Sequence, residues 1–219
     1  MSQKWSWESV VEVLPLLLDG ARMTVAATFV GFFVAMLVGL LFALLRRSSI
    51  RIVRAVSGAF IDFIRCTPLL VQAFFIYNVL PSWGIMLGSF AAGIVTLGLH
   101  YGTYLSEVYR AGIDNIPRGQ WEAARALNFS KWKTWRNIVL PQAVPPVIPV
   151  LGNYFITMFK ETPILIVIAL PEMLLQAKMY GSANFRYIEA YTMAGAIFLL
   201  ISLPASYLIH RLDLKWNRR

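Results

Sequence analysis

Residues 114–149 read DNIPRGQWEAARALNFSKWKTWRNIVLPQAVPPVIP, a polar, basic island between stretches apolar enough to cross a bilayer. Pro117 suits the first turn of a short helix, where its missing N–H would have no partner in any case. Ala123, Ala126 and Leu127 fall at i, i+3 and i+4. They give that helix a narrow face of small residues that another protein can approach closely. Asn128 stands where the helix should stop, at a position that favours positive φ, for which Asn is the common second choice after Gly. Ser130 can cap a second helix from about Lys131 to Leu140, which Pro141 is expected to end. The expectation is two short helices joined by a tight corner; the plain alternative is an ordinary basic loop.

Outward from this island the chain is apolar. Of 219 residues, 58% are hydrophobic and 14% charged, too apolar for an ordinary soluble domain. A span needs about 20 apolar residues, which leaves room for five or six and for little beyond one bundle, residues 1–219. The expected spans are 23–45, 56–80, 90–109, 147–168 and 191–209. A short amphipathic helix precedes them: Trp7, Val10, Val11, Leu14, Leu17 and Leu18 lie at helical spacing, anchored at the interface by Trp5 and Trp7, kinked at Pro15 and broken at Gly20. Gly31 and Gly39, eight apart, should let another helix approach the first span. Residues 171–190 read as an external loop. The fold class is therefore an all-α membrane protein.

The formal net charge of +9 would suit nucleic acid if the basic residues shared one face. They lie instead between apolar runs, where they report topology. Arg46, Arg47, Arg51, Arg54, Arg110, Arg118, Arg125, Lys131, Lys133, Arg136, Arg211, Lys215, Arg218 and Arg219 follow odd-numbered spans; only Lys4, Arg22, Lys178 and Arg186 lie on the other side. This places the N-terminus outside, and the tail and the 114–141 island in the cytoplasm. The single Cys66 excludes an internal disulfide and a thiolate metal site. No G-x-x-x-x-G-K-[ST] occurs, so the chain has no P-loop of its own, and no H-E-x-x-H motif or carboxylate–histidine cluster points to a membrane-embedded hydrolase.

Several charged or kinking residues fall inside the apolar runs. Asp62 and Arg65 can neutralise each other at i, i+3. Pro68 frees a carbonyl, with Gln72 one turn further on. The group either lines a pathway or is a structural pair with a kink. His100 is either a hydrogen-bonded packing residue or a proton carrier. Glu107 precedes Arg110 by three residues, at the edge of the island. Lys160, Glu161 and Pro163 interrupt the fourth span, which implies a broken helix facing the bundle interior or a partner; they form either a gate or an interfacial ion pair.

The spacing of the island resembles the cytoplasmic "EAA" loop of permease subunits of bacterial ABC importers. Glu122-Ala123-Ala124, three residues, Asn128, nine residues and Ile138-x-Leu140-Pro141 match that pattern, except that the family has Gly where Asn128 stands. FIRCTPLLVQ (63–72) is similar to F-I-R-G-T-P-L-L-V-Q of the polar-amino-acid branch, with Cys66 for Gly. YLSEVYRAGI (104–113) resembles A-Y-x-x-E-x-x-R-G-G-I, and Lys160-Glu161-Thr162 stands where the family has K-D-T. The resemblance runs from about Asp19 to Ala205. It implies a type I importer permease with no catalytic site or cofactor of its own. Its partners would be two ATPase subunits that bind ATP and Mg, a second permease subunit (self or paralogue) and an extracytoplasmic binding protein. The setting would be a bacterial cytoplasmic membrane, and the substrate a polar amino acid, an opine or a solute such as ectoine. Glu122 is the expected contact to the ATPase. The rival classes are a secondary transporter, for which inverted repeats would be expected, and a channel.

Overall fold

The computed structural model describes residues 4–216; Arg218 and Arg219 of the basic tail lie outside the described residues. Among them the chain is helical, with no strand: α1 (Trp7–Arg46), α2 (Arg51–Arg65), α3 (Leu69–Phe74), α4 (Ser89–Asp114), α5 (Arg118–Ala126), α6 (Lys131–Thr134), α7 (Leu140–Glu161), α8 (Met173–Asn184) and α9 (Tyr187–Trp216). A π turn (Phe75–Val79) and a 3-10 turn (Leu80–Trp83) prolong α3. A π turn (Trp135–Val139) joins α6 to α7, and a 3-10 stretch (Thr162–Ile168) follows α7.

The seam between α1 and α4 is built on small residues. An added Cβ on Gly31 would stand 3.2 Å from Leu97, on Gly39 2.9 Å from Leu105, and on Gly102 2.6 Å from Val38. The glycines at 31 and 39 thus do what their spacing suggests. Both residue numbers rise together along the seam, so α1 and α4 run parallel, and the chain must return between them through α2 and α3. The same reasoning sets α7 antiparallel to α4, because a Cβ on Gly112 would touch Val147 while one on Gly93 would touch Leu165. It sets α9 antiparallel to α7, because Gly152 faces Ile209 and Phe159 packs on Phe198 with ring centroids 5.2 Å apart. The chain alternates in direction through five passes. Ala35, Leu69, Ala73, Leu97, Leu105, Met158 and Leu165 fill the core shared by α1, α3, α4, α7 and the 3-10 stretch that follows α7.

Four expectations need correction. First, no separate interfacial helix precedes the first span: α1 is one helix of 40 residues that includes Pro15 and Gly20. At about 1.5 Å per residue it is ~60 Å long, roughly twice a bilayer's hydrocarbon core. Its first half is packed rather than laid on a surface, for Val13, Leu17 and Ala21 are buried against Met173, Ala177, Ala190 and Ala194. A Cβ on Gly20 would stand 2.7 Å from the Met173 backbone, so this glycine serves close approach and not a break. Ser6 N–H donates to Glu189 Oε1 (3.0 Å), Tyr180 O–H to Glu12 Oε2 (2.8 Å) and Met173 N–H to Thr24 Oγ1 (3.2 Å), tying this half of α1 to α8 and α9.

Second, the 56–80 segment is not one straight span: α2 and the helix over 69–83 meet at a bend of 102°. Third, Pro141 does not end the second helix of the island. The π turn at 135–139 carries the ladder past it, and the helical path continues from Lys131 to Ile168. Fourth, part of the expected external loop is α8. Glu172 caps it, accepting from Leu174 N–H (2.9 Å) and Leu175 N–H (2.7 Å). Burial pushes this carboxyl above its usual range, and the two amide bonds pull the other way.

By length and composition three helical stretches could cross a membrane: Trp7–Arg46, Lys131–Ile168 and Tyr187–Arg211. The bent pair makes a fourth if it counts as one crossing. The expected third span lies inside α4, whose second half is made polar by His100, Tyr101, Thr103, Ser106 and Glu107.

Candidate functional site: the corner and the polar cluster

Two places gather the residues singled out in the sequence. One is the corner between α5 and α6. Asn128 has φ 54°, as the sequence suggests, and reverses the chain there. Asn128 N–H donates to Arg125 O and Phe129 N–H to Ala124 O, both at 3.0 Å, a paired closure of the helix end. Ser130 caps α6 by accepting from Lys133 N–H at 3.3 Å. Ala124 is buried, while Glu122, Ala123, Ala126 and Leu127 are exposed. Trp132 is 72% exposed and Leu127 67%, which leaves two large apolar side chains on a protruding corner. The opposite side rests on the bundle through Trp121 and Trp135, whose rings meet edge-on at 5.8 Å, and through Ile116, Val139 and Ala143. Ile138 and Leu140 flank that contact, and Pro141 sits in the first turn of α7.

Glu107 and Arg110 connect this corner to the bundle. Glu107 Oε2 and Arg110 Nη2 are 2.9 Å apart, Arg110 also approaches Asp114 at 3.8 Å, and Asp114 pairs with Arg47 at the end of α1. These ionic links join the ends of α1 and α4 next to the corner.

The second place is a polar cluster between α2, α3, α4 and α7. Pro68 cannot donate to Ile64 O, the carbonyl four residues before it. The Gln72 side chain takes that role: its Nε2 donates to Ile64 O at 2.7 Å, with Thr67 Oγ1 at 2.8 Å and Thr67 O at 3.0 Å. The bend is thus supplied with donors from within. Gln72 Oε1 accepts from His100 Nδ1–H at 3.2 Å, which fixes the tautomer of a 9%-exposed histidine. His100 packs against Tyr101 and Tyr104, with centroids 5.5 and 5.3 Å apart, and Tyr154 of α7 closes on both tyrosines at 6.3 and 6.0 Å. Tyr101 O–H donates to Glu161 Oε2 at 2.6 Å. The Arg65 guanidinium lies 4.9 Å over the Tyr104 ring, a favourable cation–π contact.

Arg65, Gln72, His100 and Glu161 are therefore brought together, while Asp62, Glu107 and Lys160 are not. Asp62 makes no ion pair with Arg65, which is occupied by Tyr104. Lys160 points away and is exposed, because adjacent helical residues diverge by about 100°; it makes no ion pair with Glu161. Pro163 opens the 3-10 stretch just beyond Glu161. Tyr154 escaped the sequence reading, although it shares a helix face with Glu161 at i, i+7. The cluster runs from an exposed guanidinium, Arg65, through three phenols to the buried imidazole of His100 and the half-buried carboxylate of Glu161.

Comparison with known proteins gives a consistent picture. The family described as "Binding-protein-dependent transport system inner membrane component" matches residues 14–218. The chain is 43% identical over 209 residues, 95% of its length and 90% of the relative's, to the probable amino-acid ABC transporter permease protein y4tG of Sinorhizobium fredii. It is 34% identical over 212 residues, 96% and 97% of the two lengths, to the glutamine transport system permease protein GlnP of Escherichia coli K12. A crystal structure of an amino acid ABC transporter with histidines superposes with a TM-score of 0.90 at 36% identity, over 97% of this chain and 100% of that one.

Proposed function

Because the chain belongs to the family of binding-protein-dependent transport system inner membrane components, a family of non-catalytic membrane subunits, we propose that it forms half of the translocation pathway of an ATP-driven importer. The cargo is a polar amino acid or a related small zwitterion, handed over by an extracytoplasmic binding protein. The glutamine relative favours an amino acid over an opine or a cyclic solute. Two ATPase subunits bind ATP and Mg, and this chain binds no cofactor. A second permease subunit completes the pathway.

The chain is one membrane unit of five crossings in a bacterial inner membrane. The five alternating passes support that number. α4, at 26 residues or ~39 Å, is long enough to be the third crossing, and the bent α2–α3 pair is the second. The Lys/Arg distribution puts the N-terminus outside and the C-terminus in the cytoplasm.

The observation that carries this reading is the protruding corner, with Glu122, Ala123, Leu127 and Trp132 exposed on a helix pair braced against the bundle. Docking of an ATPase there lets nucleotide-driven closure pull the two corners of the pore together and rock the passes between inward-open and outward-open arrangements. ATP drives this only to the extent that the closed ATPase favours one arrangement of the corners. The cluster of Arg65, Gln72, His100 and Glu161 lines the pathway. Its cation and carboxylate suit the two ends of a zwitterion, while Lys160 faces the second subunit. Pro68 and Pro163 are the points at which the helices open.

The experiment is Glu122→Lys. The subunit should still insert and keep its thermal stability, but ATP-driven uptake should fall at least tenfold. Wild-type uptake in this variant, with the ATPase bound, would overturn the docking assignment.

A further inference from the structure

Beside the ionic links next to the corner, the ends of α1 and α4 and the helix α2 enclose an open groove of about 660 Å³, lined by Arg46, Arg51, Arg54, Arg110 and Asp62 over a floor of Ala55, Gly58 and Ala59. Only part of its charge is consumed internally. Arg110 is taken by Glu107 and Asp114, and Arg54 donates to Ser48 O and Ser49 O at 2.8 and 3.3 Å. Among the described residues Arg46 and Arg51 make no ion pair. The floor lets Arg46 lie close: a Cβ on Gly58 would overlap its guanidinium, so a larger residue there would push that flexible side chain aside.

The position of the groove says what could fill it. At about 100° per residue, α2 divides into three stripes. Ser57, Ile61 and Ile64 are buried against the bundle, and Arg51, Arg54, Ala55, Gly58 and Asp62 face the groove. On the third stripe Ile52, Val56 and Phe63 are 74%, 63% and 65% exposed, and Phe60 beside them stacks on Phe42 of α1 at 5.3 Å. A 15-residue helix is ~22 Å long, too short to cross a bilayer alone, and the 102° bend turns it across the direction of the helix that follows. A basic stripe beside an exposed apolar stripe on this entering arm of the bent second crossing is the pattern of a segment at the membrane boundary, with cations at headgroup level and apolar side chains towards the acyl region.

We propose that this groove seats the phosphodiester headgroup of an anionic phospholipid, held by Arg46 and Arg51, with its acyl chains along Ile52, Val56 and Phe63. Guanidinium groups bind phosphate oxygens through paired N–H donors, and the exposed apolar stripe gives the lipid tails a surface that a free phosphate would not use. The inference depends on the topology proposed above only for which leaflet supplies the lipid, and its readout needs no transport.

The test uses the full-length chain purified in mild detergent with its partner subunits, and counts bound lipid by native mass spectrometry as phosphatidylglycerol is titrated. Each arginine near an anionic lipid surface contributes about fivefold in binding, so Arg46→Gln/Arg51→Gln should weaken phosphatidylglycerol by about 25-fold. Phosphatidylcholine binding should not change. Gly58→Ala, which keeps every charge but displaces Arg46, should weaken it severalfold, and Lys178→Gln on α8 should do nothing. Inorganic phosphate in excess should fail to displace the lipid. Unchanged phosphatidylglycerol binding in both groove variants overturns the proposal. So does displacement by inorganic phosphate, which would make this a free-anion site. Loss of a partner subunit with lipid binding intact would assign the arginines to a protein contact and overturn it as well.

Discussion

Gln72→Leu tests the polar cluster where its parts are most interdependent. The substitution puts an apolar side chain of similar volume in the bend but removes an amide with two roles. Its Nε2 supplies Ile64 O, the carbonyl orphaned by Pro68, and its Oε1 receives His100 Nδ1–H. Ile64 O keeps a donor, since Thr67 O–H reaches it at 3.0 Å, so the loss there is a fraction of one hydrogen bond. The His100 N–H has no such reserve and becomes a buried donor without a partner, which costs about 1–3 kcal/mol in water-soluble proteins. Between membrane helices such bonds measure lower, averaging ~0.6 with a maximum of ~1.7 kcal/mol, so about 1–2 kcal/mol is expected in total. For a chain of this size 1 kcal/mol corresponds to roughly 2–4 °C, giving a fall in Tm of about 2–8 °C. The informative quantity comes from the cycle with His100→Leu. Each single variant strands one partner and the double variant strands neither, so the double should cost less than the sum by about 0.6–1.7 kcal/mol. Thermal unfolding of all four proteins in the same detergent measures this. Additivity within ~0.3 kcal/mol would refute the claim that Gln72 and His100 act as one unit.

Three further outcomes follow from the same geometry. Asn128→Gly should keep wild-type Tm and uptake, whereas Asn128→Val should lose about 1–2 kcal/mol, because a β-branched residue is strongly disfavoured at φ 54°; thermal unfolding and uptake assays separate the two. Gly102→Val, whose Cβ would stand 2.6 Å from Val38, should force α1 and α4 apart and cost about 1–3 kcal/mol, read as a lower yield of folded protein and a lower Tm. Lys160→Met/Glu161→Leu should assemble with the ATPase and keep basal ATP hydrolysis yet lose uptake, and wild-type uptake by this double variant would remove Glu161 from the pathway.

Local chemistry accounts for what could be read in the sequence. Asn128 and Ser130 act on their own backbone neighbours, so the corner was legible from spacing alone. Gly31 and Gly39 announce a close helix contact, though not that Leu97 and Leu105 fill it. Pro68 announces a freed carbonyl, and Gln72 stands near enough to serve it, but the 102° turn depends on packing against α4. Other features depend on partners distant in sequence. α1 runs unbroken through Pro15 and Gly20 because α8 and α9 pack on its first half, and the π turn that carries α6 past Pro141 leaves no local signature. α8 has buried Met173, Ala177, Tyr180 and Gly181 at i, i+4, i+7 and i+8, a pattern that could have been found. Its cap is Glu172, which is not among the usual capping residues, so the start signal was missing. Lys160 and Glu161 looked like a pair in one dimension and separate in three.

The most direct measurement is uptake by proteoliposomes containing this chain with its second permease subunit and ATPase, supplied outside with the binding protein and its radiolabelled amino acid. The account predicts accumulation that requires both ATP inside and binding protein outside, and that falls at least tenfold with Glu122→Lys while the ATPase remains competent in its basal hydrolysis. Uptake that proceeds equally without ATP, or that follows an imposed ion gradient instead, would contradict it.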